Sequence, residues 1–500
     1  MSSNSDQIVQ QIRQDFQALM DYVMGDGSQT RTAYEVELTL FRRLLALGAA
    51  LLRLFFVHRA AVRPPEPVYA PDGTELRYQS LRLTTYFSVF GKVRFQRHYY
   101  HAVGQAGVCP LDTALSLPPR CYSDLLRDWT EYGSTNESYN EQLQTVERIL
   151  GLTLAKRALE TSVREDATDV DAFYDQKTVP PPAAEGPILV LQADGKGVPM
   201  VRPAPAAAPA RRGKGAKRTQ KKEAVVTAIY TIAPHVRTPQ AVAAALMAAP
   251  AAEPVPRLTP GPARPQPVGK EVRATLAGKD AAFDRLARRV AQRDGPHIHY
   301  RVALTDGAAP LQQQMLRRWP LFTLVLDIIH AVEYLWLAAN AWLGETHPYR
   351  TAWVHEQLVH LLAGRTALVI QTLEKLARQP TLTPAQIQAL HTTIGYYRRN
   401  APYMRYDVYL ARGWPIGSGV VEGACGHLVK DRMERSAMRW TVPGAQALLE
   451  LRAVRINEDW AAYQDFHRQC QHQRLYDGAC VMVIPVAETF ALDLAEQVAA

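Results

Sequence analysis

The sequence predicts an α/β protein in which helices cover a central sheet. Four segments rich in β-branched and other apolar residues predict strands, at 187–197, 223–233, 297–307 and 320–330. Helical stretches such as residues 278–293 separate them, and this alternation is typical of α/β sheets. Because 500 residues are too many for one simple core, we expect two to four structural units.

The amino-acid composition and net charge limit the classes of protein to which this chain could belong. Hydrophobic residues make up 47% of the chain and charged residues 21%, as in folded globular proteins. A net charge of +9 favours a polyanionic partner, although many basic proteins bind no nucleic acid. Five scattered cysteines without a Cys-x-x-Cys pair argue against a disulfide framework or zinc finger, and they fit a reducing cytoplasm.

No membrane association is expected. The N-terminus lacks the basic and then apolar pattern of a signal peptide. Residues 321–343 are apolar, but Asp327, His330 and Glu333 would lie in hydrocarbon if this segment crossed a bilayer. We interpret this segment as a buried strand and helix.

The N-terminal part predicts a helical region followed by a β-hairpin. Residues 6–60 have helical periodicity, and residues 80–101 alternate as a hairpin around Gly91. One hairpin face is basic, with Lys92, Arg94, Arg97 and His98. A solvated strand face and a DNA-contacting face both remain open interpretations.

Three short helices are predicted between Arg120 and Asp166. The second has a capping box at Ser138 and Glu141 and ends at Gly151, and the third starts from Thr153 as N-cap. In the third helix, Leu154, Ala158 and Val163 would face inward, while Lys156, Arg157 and Arg164 would face outward. The pair of helices resembles a helix-turn-helix whose second helix enters a major groove. A helical hairpin with a basic outer face is the alternative.

Linkers and helices fill most of the remaining chain. Residues 179–187 predict a linker, and the Pro-rich or basic stretches 202–222 and 249–269 predict mobile loops. Residues 331–410 have helical patterns.

Two predicted strands end on an Asp-Gly pair, at Asp194 and Asp306. Ligands of open α/β sheets collect beyond the carboxyl ends of strands, so these acids would face a site, whereas either pair alone also suits a turn. A third acid, Glu422, follows a glycine-rich segment with Ser418 as candidate N-cap. Gly423 flanks Glu422 and Gly426 follows closely, which suggests a close approach to the backbone.

Three converging carboxylates repel one another unless cations lie between them. Oxygen ligands with room for water and phosphate suit Mg²⁺ or Mn²⁺, and two such ions about 4 Å apart serve in-line displacement at phosphodiesters. Downstream basic residues would contact phosphates, with a solvated helix face as the alternative for each; they are Lys430, Arg432, Arg435 and Arg439.

The segments around these acids, "LQADGKGVPM", "ALTDGAA" and "PIGSGVVEGACGHLVKDRMERSAMRW", resemble those of a DDE transposase with an RNase H-like core. The third segment is similar to bacterial insertion-sequence transposases of the Kra type (ISKra-like). The resemblance covers roughly residues 80–460, and its most specific part is "GSGVVEGACGHLVKDRM".

The resemblance implies an RNase H-like mixed sheet with a helical insertion, preceded by a helical and β-hairpin DNA-binding region with a helix-turn-helix. It divides the chain into seven segments: 1–79, an N-terminal helical region; 80–119, a basic hairpin region like a degenerate zinc ribbon; 120–178, a helix-turn-helix-like region; 187–330, the first part of the catalytic core; 331–412, the helical insertion; 413–465, the second part of the core; and 466–500, a C-terminal tail.

The resemblance also implies an activity. Asp194, Asp306 and Glu422 would bind two Mg²⁺ or Mn²⁺ ions, water would cut DNA at the terminal inverted repeats, and the freed 3′ hydroxyl would attack target DNA. Asp327 and His330 match an Asp-x-x-His pattern and are expected to be accessory site residues, while a satisfied histidine at a strand end is the alternative for His330. The partner would be double-stranded DNA, the assembly a homodimer or larger, and the location the bacterial cytoplasm, with nucleoid association when bound to DNA.

One departure from the family concerns the hairpin. Relatives place a Cys-x-x-Cys pair where this sequence has Ala102 and Gln105, so no structural zinc is expected. Two other functions therefore stay open: an RNase H-like nuclease that does not join strands, and a catalytically inactive DNA-binding derivative.

Overall fold

The computed structural model describes residues 2–63, 67–70, 72–201, 220–248 and 264–476. Most of the predicted loops 202–222 and 249–269, and residues 477–500 of the predicted tail, lie outside these ranges. The described chain divides into two compact units, residues 2–162 with 464–476, and residues 163–463. This agrees with the two to four units expected from length, while the finer division into seven segments stays a prediction.

In the second unit helices separate the later strands, as predicted. The helices are α1 (Ser2–Met24), α2 (Asp26–Gln29), α3 (Ala33–Ala61), α4 (Pro110–Ala114), α5 (Asp124–Ser134), α6 (Tyr139–Leu150), α7 (Lys156–Asp166), α8 (Val170–Gln176), α9 (Pro239–Met247), α10 (Lys279–Arg293), α11 (Ala309–Arg318), α12 (Ile328–Leu343), α13 (Arg350–Leu362), α14 (Thr366–Ala377), α15 (Pro384–Asn400), α16 (Tyr406–Ala411), α17 (Gly419–Ala424), α18 (Asp431–Met433), α19 (Val442–Ile456) and α20 (Trp460–Tyr476). The strands are β1 (Val68–Tyr69), β2 (Glu75–Ser88), β3 (Gly91–His101), β4 (Ile188–Pro199), β5 (Lys221–Ile232), β6 (Val268–Thr275), β7 (Tyr300–Thr305) and β8 (Thr323–Leu326).

The first unit contains the predicted hairpin. Strands β2 and β3 pair antiparallel, and β1 adds a short third strand. Gly91 begins β3 with a φ of +119°, a conformation that glycine adopts without strain. Helix α3 packs on the hairpin through Phe56, whose ring stacks on Phe95 with centroids 4.2 Å apart. The apolar stretch of α3 therefore packs against a sheet.

Helices α5, α6 and the start of α7 follow in the first unit. Ser138 and Glu141 form the predicted capping box of α6, and Gly151 ends this helix in the left-handed conformation. The prediction for the start of the third helix was wrong by two residues: α7 begins at Lys156 instead of Leu154, and the Thr153 hydroxyl donates to Glu147 at 3.1 Å. Along α7 the three predicted basic side chains, Lys156, Arg157 and Arg164, are exposed.

A five-stranded mixed sheet forms the centre of the second unit, in the order β6-β5-β4-β7-β8. Strands β4, β5 and β6 are antiparallel neighbours, whereas β7 runs parallel to β4, and β8 runs parallel to β7. Parallel strands need helical crossovers, and α10 and α11 supply helices between the later strands. The predicted α/β class is confirmed.

Helices pack on both faces of this sheet. Ile188 and Val190 of β4 lie in a core with helices α12 to α16, and Leu189 and Leu191 lie in a core with α10 and α11. This alternation follows from side chains pointing to opposite faces along a strand. The helical patterns predicted for residues 331–410 correspond to α12 through α16.

Three strand predictions need correction. Strand β4 does not end at Asp194 but pairs with β5 up to Pro199, because β5 is equally long. Strand β6 was missed because Glu271 and Arg273 make it look polar, yet both side chains are buried. The segment 320–330 contains only the short β8, so His330 lies in the first turn of α12 rather than at a strand end.

The charges of β6 are paired inside the unit. Arg289 of α10 donates to Glu271 at 3.0 Å, and the two side chains are 5% and 4% exposed. The same guanidinium donates to the carbonyl oxygens of Tyr174 and Lys177. Breaking a buried pair leaves an uncompensated charge, which is strongly destabilising.

We predict that Arg289→Ala lowers the free energy of unfolding by roughly 3–5 kcal/mol, because Glu271 would stay buried without its cation. Arg288→Ala is a matched control on the same helix, since its ion pair with Asp175 is exposed and should contribute at most about 1 kcal/mol. Urea denaturation of both variants measures the difference. Equal losses would contradict the role given to the buried pair.

Candidate metal centre

Three neighbouring strands of the sheet each have an aspartate at, or directly after, matching positions. Ala193 of β4 pairs with Thr305 of β7, and Thr305 pairs with Leu326 of β8. Asp194, Asp306 and Asp327 are each one residue further along, so they lie at the same level of three parallel strands. Adjacent strands are about 5 Å apart. Parallel register thus gathers acids that are separated in the sequence.

Glu422 reaches this edge from α17, which hydrogen bonds fix to the sheet. The amide oxygen of Gln192, a buried residue of β4, accepts from the backbone N–H of Val421 at 2.9 Å. Its amide nitrogen donates to Tyr230 at 3.0 Å and to the carbonyl oxygen of Gly417 at 3.4 Å. These bonds place the first turn of α17 against the same edge of the sheet as the three aspartates.

Ser418 connects two of the acids. Its hydroxyl lies 2.7 Å from an oxygen of Asp327 and 2.8 Å from an oxygen of Glu422. Ser418 occupies the predicted N-cap position of α17, but its side chain does not cap the helix. The hydroxyl forms hydrogen bonds with the two carboxylates instead, so the prediction that it caps the helix was wrong.

His330 completes a compact group with Asp327 and Glu422. Its Nδ1 is 2.9 Å from Asp327 and 3.7 Å from Glu422. One ligand atom from each of the three residues lies within 4.8 Å of the others, and within the described ranges this is the only such group of His, Cys, Asp or Glu. One nitrogen and two oxygen donors suit a divalent cation such as Mn²⁺ or Zn²⁺, and carboxylates also suit Mg²⁺.

Asp194 and Asp306 lie outside this group but close to its members. The Cys425 thiol donates to Asp194 at 3.2 Å, and the negative charge of Glu422 contributes to the raised pKa of this thiol. Asp306 accepts from the backbone N–H of Ala308 at 2.8 Å, which makes it part of the predicted turn, and its charge contributes to the raised pKa of His330. Cys425 and His330 therefore link the four acids.

Burial, hydrogen bonds and charge together raise the pKa values of Glu422 and His330 and lower that of Asp327. Burial, followed by the neighbouring Asp327, raises the pKa of the Glu422 carboxyl. For Asp327, burial alone would raise the pKa, but hydrogen bonds from His330, Glu422 and Ser418 lower it. The hydrogen bond to Asp327 raises the pKa of His330 to about 9, although burial opposes this shift. A protonated His330 thus offsets part of the negative charge at neutral pH.

One of the contacts predicted for the glycines and basic residues near Glu422 is wrong. A Cβ at Gly426 would meet no described atom within 4 Å, and one at Gly423 would meet only His427 at 3.5 Å, so the space beside these glycines is open and the close approach to their backbone stays a prediction. Arg432 is fully buried with its guanidinium over the Trp440 ring, so the predicted phosphate contact of Arg432 was wrong. Lys430, Arg435 and Arg439 are exposed.

Two residues of the site were not predicted. Gln192 has a buried side-chain amide within the apolar run "LVLQA". Because buried polar groups are hydrogen-bonded, a single polar residue in a buried strand indicates a hydrogen-bonding role for its side chain and could have been noticed in the sequence. Cys425 was considered only as part of the scattered cysteines. Its contact with Asp194 depends on the π-helical turn Cys425–Lys430 that follows α17, which the sequence did not reveal.

The sequence matches no known family model and no curated protein. A solved structure described as the "Drosophila P element transposase strand transfer complex" is similar over 69% of this chain and 80% of that chain, with 9% identity and a TM-score of 0.23. A score of this size carries no argument about activity. No described helix has both the length and the apolar character that spanning a bilayer requires.

We predict that His330 stabilises the fold in a pH-dependent way. Since its pKa in the folded protein, about 9, exceeds the usual 6.5, the contribution is complete below about pH 6.5 and is lost as pH rises through about 9. The difference in unfolding free energy between the native protein and His330→Gln should therefore shrink over that range, measured by urea denaturation in EDTA. The control is H355Q, at an exposed histidine of α13. A difference that stays constant with pH would contradict the ion pair with Asp327.

Proposed function

We propose that the protein is a DDE transposase, which binds the terminal inverted repeats of an insertion sequence and catalyses metal-dependent DNA cleavage and strand transfer. The observation that carries this proposal is the meeting of Asp194, Asp306 and Asp327 at one level of three parallel strands, with Glu422 joined to Asp327 through Ser418. Such an accumulation of carboxylates is suited to cations and, through them, to phosphodiesters.

The sheet supports the same proposal. Three antiparallel strands followed by two parallel ones, with helices on both faces, make a mixed sheet of the kind that an RNase H-like core requires. The long helical segment between β8 and Glu422 agrees with a helical insertion. The resemblance of the Glu422 segment to Kra-type transposases supports the finer assignment.

In this proposal Asp194, Asp306 and Glu422 hold two Mg²⁺ or Mn²⁺ ions. When bound, the ions would activate the attacking water and neutralise charge on the phosphate. Asp327 is fully buried, and through Ser418 and His330 it orients Glu422. His330, with its raised pKa, would hold a proton beside the acids until ions replace that positive charge.

Basic side chains would position the DNA. Lys156, Arg157 and Arg164 are exposed along α7, as a recognition helix requires, and Lys430, Arg435 and Arg439 are exposed after Glu422. The partner is double-stranded DNA, both the terminal repeats and the target. Because two ends must be joined, the working assembly is a homodimer or larger.

We expect Glu422→Gln to lower Mg²⁺-dependent cleavage of terminal-repeat DNA by at least about 100-fold, because it removes one metal-binding carboxylate while keeping the side-chain size. Binding of the same DNA, measured by gel shift, should stay near normal. Glu356→Gln is the matched control, since Glu356 is exposed on α13. Cleavage retained by the Glu422 variant would refute the assignment.

A strand-transfer assay separates the transposase from a nuclease. The purified protein should join a pre-cut repeat end to a second duplex in Mg²⁺. Hydrolysis without joining would favour an RNase H-like nuclease. A protein that binds the ends but does not cleave them even with Mn²⁺ would be a DNA-binding derivative.

Metal binding can be measured without DNA. At an Mn²⁺ concentration about 100 times the dissociation constant, binding to the folded state should raise the free energy of unfolding by about 2.7 kcal/mol. Asp194→Asn should reduce this gain, because it removes a charged ligand. Asp465→Asn, at an exposed acid in the first unit, is the control. An equal Mn²⁺-dependent gain in the free energy of unfolding for both variants would mean that the ion binds at a site that does not include Asp194.

A further inference from the structure

A cavity lies beside α17, and none of the four acids lines it. It has a volume of about 570 Å³, and Gly417, Gly419 and Gly423 form one wall. Ser418 and Glu422, which alternate with these glycines, contact the acidic group instead. The acidic group and this cavity therefore share one short helix, α17.

The cavity is basic. Arg237, Arg264, Lys270 and His427 line it, and no acidic residue does so in the described part of the chain. Burial and the nearby Arg264 lower the pKa of Arg237, and burial followed by Lys270 lowers that of His427. The positive groups thus disfavour one another, and an anion between them would remove this repulsion.

The shape of the cavity suits a nucleotide. Its volume falls within the range of about 300–1,000 Å³ that is usual for small-molecule sites. A Cβ at Gly419 would have no described atom within 4 Å, so the helix presents bare backbone to the space. Pro265, Pro267 and Val420 also line the cavity and are only half-buried, so they add apolar surface that a base or sugar could cover.

We propose that this cavity binds a terminal nucleotide with a 5′-phosphate, the end that is formed when a DNA strand is cut. The inference rests on the proposed cleavage reaction. In that hydrolysis the water oxygen bonds to phosphorus and the bond from phosphorus to the 3′ oxygen breaks. The 3′ oxygen takes up a proton, the other water proton goes to solvent, and the flanking strand keeps the 5′-phosphate.

Charge favours a terminal phosphate over an internal one. A phosphomonoester carries about −1.5 to −2 charges at pH 7, whereas a backbone phosphodiester carries about −1. Arg237, Arg264 and Lys270 together match the larger charge better. Retaining the 5′ end in this cavity would keep the flanking strand beside the acids while the 3′ hydroxyl moves to its target.

Fluorescence anisotropy with short single-stranded oligonucleotides in EDTA tests the proposal. The 5′-phosphorylated strand should bind at least about 10-fold more tightly than the 5′-hydroxyl strand, equivalent to about 1.4 kcal/mol. Lys270→Ala should lose most of this preference. Gly419→Leu should lose it too, because the new side chain fills open space without removing any charge. Arg317→Ala, at an exposed arginine of α11 on the other face of the sheet, should retain it.

The outcomes separate this inference from the proposed function. Equal binding of the two oligonucleotides by a protein that cleaves DNA would overturn the inference alone. A 5′-phosphate preference in a protein that never cleaves would overturn the transposase assignment alone. A free nucleoside monophosphate that competes as well as the phosphorylated strand would show a site for free nucleotides, and it would overturn the assignment to a DNA end.

Discussion

The side-chain amide of Gln192 is the interaction on which the site depends. It is buried in β4, two residues before Asp194, and it binds both Gly417 and Val421 around the start of α17. A buried amide that loses its partners is costly, so the helix is held in one position relative to the sheet. Glu422 belongs to a helix of only six residues, which could not fix its own orientation without such an anchor.

This anchoring concentrates negative charge at one edge of the sheet. Asp194, Asp306, Asp327 and Glu422 lie there together, and the nearby compensation comes from the Ser418 hydroxyl, the Cys425 thiol and His330. Two of these three donors are neutral. The arrangement therefore stabilises the acids only in part, as expected of a site organised for ligands rather than for maximal folding stability.

Sequence patterns predicted much of this fold. The β-branched strands, the capping box of α6 and the helices after β8 leave local signals. Strand β6 does not, because Glu271 and Arg273 pair with buried charges on α10 and α19, which the strand sequence itself does not reveal. Asp194, Asp306 and Glu422 could be singled out from their surroundings in sequence. The strand register brings Asp194, Asp306 and Asp327 side by side at one edge of the sheet, and a single sequence does not specify this register. Arg432 shows the converse problem, since the charged Lys430 and Asp431 before it are exposed while its own guanidinium is buried against the Trp440 ring.

The continuation of β4 beyond Asp194 has a mechanical consequence. The backbone of Asp194 is paired with Val226, and the ladder continues for five more residues to Pro199. Moving this aspartate would disrupt the pairing with β5 both before and after it in the sequence, so its backbone is held rigidly. Asp306 sits in a turn and Glu422 on a short helix, and both have softer supports. Any movement that brings the acids closer to bound ions should therefore occur in the turn after β7 and in α17, while β4 stays in place.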